Sequence, residues 1–124
     1  LTTVDNDRHH LDTAKTICKG AKRTAFIQSD SVAYLKHRTI PIDVAYLDAL
    51  DTWHPGCAEH GFAEALAVAP LMTRDGLIVF DDTPPDGNGG WQGKGRLACP
   101  WLCANGWRVR PESGYQTILE RATT

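Results

Sequence analysis

The sequence predicts an α/β fold built on a mostly parallel sheet, and three observations support this prediction. Strand and helix patterns alternate along most of the chain, and each of the first four strand patterns ends in a carboxylate. The last two strand patterns are joined by a turn-rich stretch at residues 111–114, which predicts a closing antiparallel hairpin. We therefore expect a Rossmann-like sheet with helices on both faces and an antiparallel carboxyl-terminal hairpin.

The first part of the chain predicts two short strand–helix pairs. The first helix pattern has apolar residues at helical spacing and stops at Gly20, and Pro41 ends the second helical segment. The predicted elements are strands over residues 1–5 and 24–28 and helices over residues 11–18 and 31–37.

The remainder predicts two buried strands, two helices and the hairpin. The run over residues 42–47 is almost continuously apolar, as in a parallel strand covered on both faces. Pro70 should bend or end the longest helix early. The other predicted elements are helices over residues 56–72 and through 97–102, strands over 77–80, 107–110 and 115–120, and a glycine-rich loop over 83–95.

Composition excludes several classes of protein. The net charge is −2 and the Lys and Arg residues are scattered, which argues against a nucleic-acid or membrane-surface partner. No apolar run reaches the length of a membrane span, and the start shows no signal-peptide pattern. The four cysteines include no C-x-x-C pair, which favours a reducing compartment. The expected location is cytoplasmic.

Acidic residues mark the carboxyl ends of the predicted parallel strands, where ligands bind in open α/β sheets. Asp is also common in turns and helix caps, so that role explains some of these residues on its own. As a set they predict a binding edge, and its members are Asp5, Asp30, Asp48, Asp81 and Asp82.

Several stretches occur in the order expected of one enzyme family. They are VDND (residues 4–7), IQSDS (27–31), IDVAYLDALD (42–51), AEHGF (58–62), GLIVFDDT (76–83), GKGRLA (93–98), NGW (105–107) and GYQTILER (114–121). In this order the chain resembles class I S-adenosylmethionine-dependent methyltransferases from their second strand to their closing hairpin. The resemblance implies S-adenosylmethionine as cofactor.

The resemblance also implies roles for the acidic residues. Asp5 would hold the ribose of the cofactor, Asp30 with Ser31 would flank its adenine, and Asp48 would lie near its methionine portion. In the metal-dependent O-methyltransferase branch, Asp48, Asp81 and Asp82 correspond to the metal ligands and would hold Mg²⁺. That branch often has Asn at the last position, where this chain has Asp82.

The implied reaction is O-methylation of a small-molecule acceptor by in-line displacement. Catalysis would come from positioning and from stabilising charge at the acceptor, with Asp48 beside the reacting groups. His54 stands next to the Pro55-Gly56 turn at the binding edge, so it is the candidate base. His60 is better explained as a helix-face residue.

The chain departs from the family pattern at its start, because no glycine-rich first strand and turn precede residue 1. We therefore expect residues 1–124 to be a single, amino-terminally incomplete methyltransferase-like domain. Three explanations stay open: a piece of a longer enzyme, a homodimer that covers the exposed strand edges, or a smaller inactive sheet. The alternative function is a non-catalytic truncated fragment that acts as an oligomerising or binding module. A weaker alternative is a different doubly wound protein whose acidic edge binds Mg²⁺ and a phosphorylated ligand.

Overall fold

The structure is a computed structural model that describes residues 1–123. The chain divides into two compact units, one spanning Leu1–Arg38 and the other beginning at Thr39. Among the described residues, no helix is both long and apolar enough to cross a membrane.

The first unit contains two strand–helix pairs. Its elements are β1 (Thr2–Asp5), α1 (Arg8–Ile17), β2 (Ala25–Gln28) and α2 (Ser31–His37). Strands β1 and β2 pair in parallel, with Asp5 opposite Gln28. Each helix begins at an aspartate cap: the Asp7 carboxylate accepts a hydrogen bond from the backbone N–H of His9, and Asp30 accepts one from that of Ala33.

The second unit is a four-stranded mixed sheet with two longer helices. Its elements are β3 (Ile42–Leu47), α3 (Cys57–Val68), a 3₁₀ turn (Ala69–Leu71), β4 (Met72–Phe80), α4 (Gly95–Ala104), β5 (Trp107–Val109) and β6 (Thr117–Arg121). The strand order is β3-β4-β6-β5. Strands β3 and β4 are parallel, whereas β6 is antiparallel to both β4 and β5. The central strands β4 and β6 and helix α4 supply the fully buried core residues Ile78, Phe80, Leu119, Ala98, Cys99 and Leu102.

The predicted fold class is confirmed. The pairings of β1 with β2 and of β3 with β4 are parallel, and the closing hairpin is antiparallel. The strands are arranged as two sheets, β1-β2 and β3-β4-β6-β5. In these two sheets, β1 has only β2 as a ladder partner and β3 has only β4.

Two elements begin three or more residues before their predicted starts, and helix α3 ends at Val68, four residues before its predicted end. Strand β4 begins at Met72, five residues before the predicted start at Leu77, because its first half is polar and irregular. The register between β3 and β4 shifts between Ile42 and Val44, and this interrupts the alternation that a sequence pattern needs. Helix α1 begins three residues before the predicted start, because the Asp7 cap lies ahead of the apolar stripe.

Candidate functional site

The candidate site lies where three strands of the second unit meet. Leu47, at the end of β3, is paired with Phe80, at the end of β4, and Phe80 faces Thr117, at the start of β6. Because β3 and β4 are parallel and β6 runs the other way, the residues after β3, after β4 and before β6 share one edge.

Three carboxylates gather at this edge and form what we call the acidic cluster: Asp48, Asp81 and Asp82. Asp48 follows β3, and the other two follow β4. One carboxylate oxygen of each residue lies within 4.8 Å of the others, close enough for all three to hold one metal ion. Asp48 is exposed, whereas Asp81 and Asp82 are half-buried. The sequence therefore named three residues that the structure brings together.

A lysine ammonium lies among these carboxylates. Lys94 Nζ donates a hydrogen bond to Asp48 Oδ1 and lies 3.7 Å from Asp82 Oδ2. Although it is a lysine, Lys94 is only 2% exposed. The acidic cluster thus already contains a positive charge from the protein itself.

The backbone next to the cluster is held by a buried threonine. Thr83 Oγ1 donates a hydrogen bond to the carbonyl of Asp81 (2.8 Å) and accepts one from the N–H of Gly95 (3.1 Å). Thr117 Oγ1 donates to the carbonyl of Thr83 at 2.7 Å. These bonds join the end of β4 to the start of α4 and to β6, so they fix the backbone directly after Lys94.

Asp81 is held in its ionised form by its neighbours. Gln116 Nε2 donates hydrogen bonds to Asp81 Oδ1 (2.9 Å) and to Tyr46 Oη (2.8 Å). Desolvation acts to raise the pKa of Asp81, but hydrogen bonds from Gln116 and Tyr46 and the charge of Lys94 hold that pKa below its ordinary value. The same surroundings raise the pKa of Tyr46 to about 12, through desolvation first and then through the bond to Asp81.

His54 lies in the turn between β3 and α3 and lines a small pocket that also includes Gly93 and Arg96, close in sequence to Lys94. Its backbone N–H donates to the carbonyl of Asp51 at 2.9 Å, which shapes the turn. The pocket is lined in part by Thr52, His54, Pro55, Glu59, Gly93 and Arg96. The exposed imidazole of His54 is open to solvent and has an acidic and a basic neighbour in the lining of this pocket.

The predicted cofactor residues of the first unit follow its two parallel strands. Asp5 Oδ1 accepts a hydrogen bond from the N–H of Asp7 (2.7 Å), and Asp5 Oδ2 lies 3.4 Å from His10 Nδ1. Asp30 Oδ1 accepts from the N–H of Ala33 at 2.8 Å, and Ser31 begins α2 directly after it. An ionised carboxylate accepts about four hydrogen bonds, so both aspartates retain acceptor capacity toward a ligand.

The sequence patterns predicted no functional role for Lys94, Tyr46 or Gln116. Tyr46 and Gln116 were part of strand and hairpin patterns, and Lys94 was part of a glycine-rich stretch. One signal was available in the glycines on either side of Lys94, because glycine permits a close approach of the backbone to neighbouring segments.

Comparison with known proteins gives a result from structure only. No protein-family model matches the sequence, and no curated protein matches it significantly.

Solved structures match nearly the whole chain at low sequence identity. An rRNA methylase from Streptococcus thermophilus aligns with a TM-score of 0.68 and 10% identity over 98% of this chain and 73% of that one. The protein SMU.1697c from Streptococcus mutans, in complex with SAH, aligns with a TM-score of 0.66 and 10% identity over 97% of this chain and 74% of that one. NSun6 from Pyrococcus horikoshii, with SFG, aligns with a TM-score of 0.69 and 15% identity over 99% of this chain and 41% of that one. At such identities the similarity establishes the fold, and the chain has the fold of class I S-adenosylmethionine-dependent methyltransferases.

Proposed function

We propose that this chain serves S-adenosylmethionine-dependent methyl transfer to an oxygen of a small-molecule acceptor. The observation that supports this most directly is the acidic cluster after β3 and β4, in a chain whose fold matches methyltransferases over nearly its full length. Ligands of open α/β sheets bind at this edge.

The charge of the second unit favours a small acceptor over RNA. From Thr39 onward the chain has six Lys or Arg residues against eleven Asp or Glu. Phosphate backbones bind surfaces rich in Lys and Arg, because affinity for nucleic acid comes largely from neutralising phosphates. Some structural neighbours are named rRNA methylases, so methylation of RNA is the second candidate.

The first unit offers groups suited to the nucleoside part of the cofactor. Asp5 would accept hydrogen bonds from the ribose hydroxyls, since its two oxygens retain acceptor capacity beyond the bond from the Asp7 N–H and the contact with His10. Asp30 with Ser31 would flank the adenine at the start of α2, where the Asp30 carboxylate already accepts from the backbone.

Asp48 and His54 would act at the reacting end. When bound, the cofactor supplies a methyl group carried on a positively charged sulfonium. Asp48 is exposed after β3, and its carboxylate would favour that positive charge by proximity. His54 would accept the proton from the acceptor hydroxyl, because a neutral imidazole nitrogen can act as a general base and this side chain is open to solvent.

Two further predictions accompany this function. Mg²⁺ held by Asp48, Asp81 and Asp82 is the assisting ion that the family resemblance implies, but Lys94 competes with it for the same carboxylates, and the test given for Lys94 below decides between the two cations. We also propose that residues 1–124 work as one methyltransferase-like domain, and that a homodimer covers the open edges of β1 and β3.

Calorimetric titration with S-adenosylhomocysteine tests the proposed function, with the solution mass measured on the same sample. Binding supports the methyltransferase, and a dimeric mass with binding supports a site completed between two copies. A folded chain that does not bind would contradict the proposal and favour a non-catalytic oligomerising or binding module.

Asp5→Ala is the sharpest variant for the cofactor site. Losing a hydrogen bond to a charged group should weaken S-adenosylhomocysteine binding by about 1.5–3 kcal/mol. The matched control is Asp12→Ala, which removes an exposed carboxylate of α1 that pairs with Arg8 and Lys15 on its own helix. Equal losses for the two variants, or none for either, would contradict the assignment of Asp5.

A further inference from the structure

Lys94 is a charged side chain that is buried, and removing a charge from water costs free energy. Lys94 is 2% exposed, and a buried ammonium is tolerated inside a fold only where hydrogen-bond acceptors or opposite charges pair with it. The structure provides that pairing, because Nζ bonds to Asp48 Oδ1 and lies 3.7 Å from Asp82 Oδ2. The lysine and the acidic cluster therefore depend on one another.

Three glycines make room for this lysine. A Cβ at Gly93 would overlap the carbonyl oxygen of Asp82, and one at Gly95 would overlap the methyl group of Thr83. A Cβ at Gly61, on α3, would overlap the carbonyl oxygen of Lys94 itself. The G-K-G segment (residues 93–95) is thus pressed between the end of β4 and helix α3, an approach that only glycine permits. A lysine on a solvent-facing loop requires no such fit.

A divalent ion and this ammonium would compete for the same oxygens. Mg²⁺ needs carboxylate oxygens at about 2.0–2.1 Å in near-octahedral geometry. One oxygen of Asp48 already bonds to Lys94, and a second cation beside Nζ would be repelled by it. With Lys94 in place the donor set does not suit Mg²⁺.

We propose that Lys94 is the resident cation of the acidic cluster and supplies from within the fold the positive charge that a divalent metal would otherwise bring. Lys94 is a positioning residue, since it holds Asp48 and Asp82 at the edge of the sheet. Removing it should convert the cluster into a site that binds divalent cations. The inference does not depend on methyl transfer, so it can fail while the proposed function stands.

Thermal unfolding followed by tryptophan fluorescence tests the proposal, because all four tryptophans belong to the second unit. Lys94→Met keeps the length of the side chain and removes its charge. Millimolar Mg²⁺, compared with NaCl at equal ionic strength, should leave the Tm of the wild type unchanged and raise that of Lys94→Met by about 3–5 °C. Lys36→Met, which removes an exposed lysine of the first unit, is the control and should stay insensitive.

Two outcomes would overturn the proposal. A wild type stabilised by Mg²⁺ would show that the cluster takes a metal despite Lys94, and a Lys94→Met protein that stays insensitive would show that Lys94 does not exclude one. If Lys94→Met does not fold, water-proton relaxation of the wild type with Mn²⁺ decides the question. No enhancement is expected, and an enhancement that Asp81→Ala removes would place the metal in the cluster.

Discussion

Thr83 shows at the scale of one residue how the acidic cluster keeps its geometry. Its hydroxyl is fully buried and has two backbone partners, the carbonyl of Asp81 and the N–H of Gly95. Water cannot replace the hydroxyl at a buried position, so these backbone groups depend on a single oxygen atom.

Replacing Thr83 by Val keeps the shape of the side chain and removes the hydroxyl. The Asp81 carbonyl and the Gly95 N–H would then lose their partner, and the free energy of unfolding should fall by about 1–3 kcal/mol. Guanidinium denaturation followed by tryptophan fluorescence measures this change. Thr73→Val is the control and should change stability by less than about 0.5 kcal/mol, because Thr73 is only half-buried and its hydroxyl donates to the exposed carboxylate of Asp43. A Thr83→Val protein as stable as the control would contradict this account.

Lys94 shows why the sequence predicted only part of the site. The three acidic residues could be named because each follows an apolar strand, and parallel strands end at a common edge. Burial of Lys94 depends on the close backbone approach at Gly61, which joins segments more than thirty residues apart. The spacing of apolar residues along the sequence gives no sign of such an approach. A lysine in a glycine-rich loop therefore has the sequence pattern of a surface residue.

At the scale of elements, Asp30 has a structural task besides its predicted role in binding. It caps α2, a helix of seven residues, by accepting from the N–H of Ala33. A helix this short has little stability of its own, so its cap accounts for much of its order. The two roles of Asp30 require different properties of the side chain: the cap needs an acceptor oxygen, whereas an adenine amino group favours a carboxylate with a spare oxygen.

Asp30→Ala and Asp30→Asn separate these roles. The alanine variant should lose about 1 kcal/mol of helix stability, measured as faster hydrogen exchange in α2, whereas asparagine caps nearly as well as aspartate and should preserve protection. If Asp30 also accepts from adenine, the asparagine variant should bind S-adenosylhomocysteine about tenfold more weakly or worse, since its amide would face the adenine amino group. An asparagine variant that exchanges as fast as the alanine variant would contradict the capping role.

Strand β4 illustrates how far element prediction could go. Its second half, Leu77–Phe80, is a plain apolar run and was predicted correctly. Its first half contains Thr73, Arg74 and Asp75, which lie between the paired residues Met72 and Leu77, where the register with β3 shifts in a way that the sequence does not reveal. The order of elements was predictable because it depends on periodicity and turns, whereas the division into two sheets depends on pairings between strands.

At the scale of the whole molecule, the two units differ in how much apolar surface they bury. Among the described residues, Leu11 and Leu35 are the buried apolar side chains of the first unit, whose sheet has two strands. The second unit has a four-stranded sheet with fully buried residues on its central strands, such as Ile78 and Leu119. A two-stranded sheet is marginally stable in water without more packing.

The rates of backbone hydrogen exchange should therefore differ between the two units. Backbone amides of β1 and β2 should exchange at least about tenfold faster than those of β4 and β6, because local opening costs less where less apolar surface is buried. Mass spectrometry of peptic peptides measures both sets in one sample. Equal protection would mean that the chain opens as one cooperative body. Added S-adenosylhomocysteine should slow exchange in the peptides that contain Asp5 and Asp30 if these residues bind it.

The burial of Lys94 gives the chain a built-in chemical reporter. The other lysines, Lys15, Lys19, Lys22 and Lys36, are exposed and belong to the first unit. An amine-acylating reagent should therefore label the first unit at once and leave the second unlabelled while it stays folded. The label that accumulates on the peptide holding Lys94 then counts the molecules whose G-K-G segment has detached from the acidic cluster. Unfolding of the second unit can thus be followed in a mixture, without a dye, an engineered cysteine or purified protein.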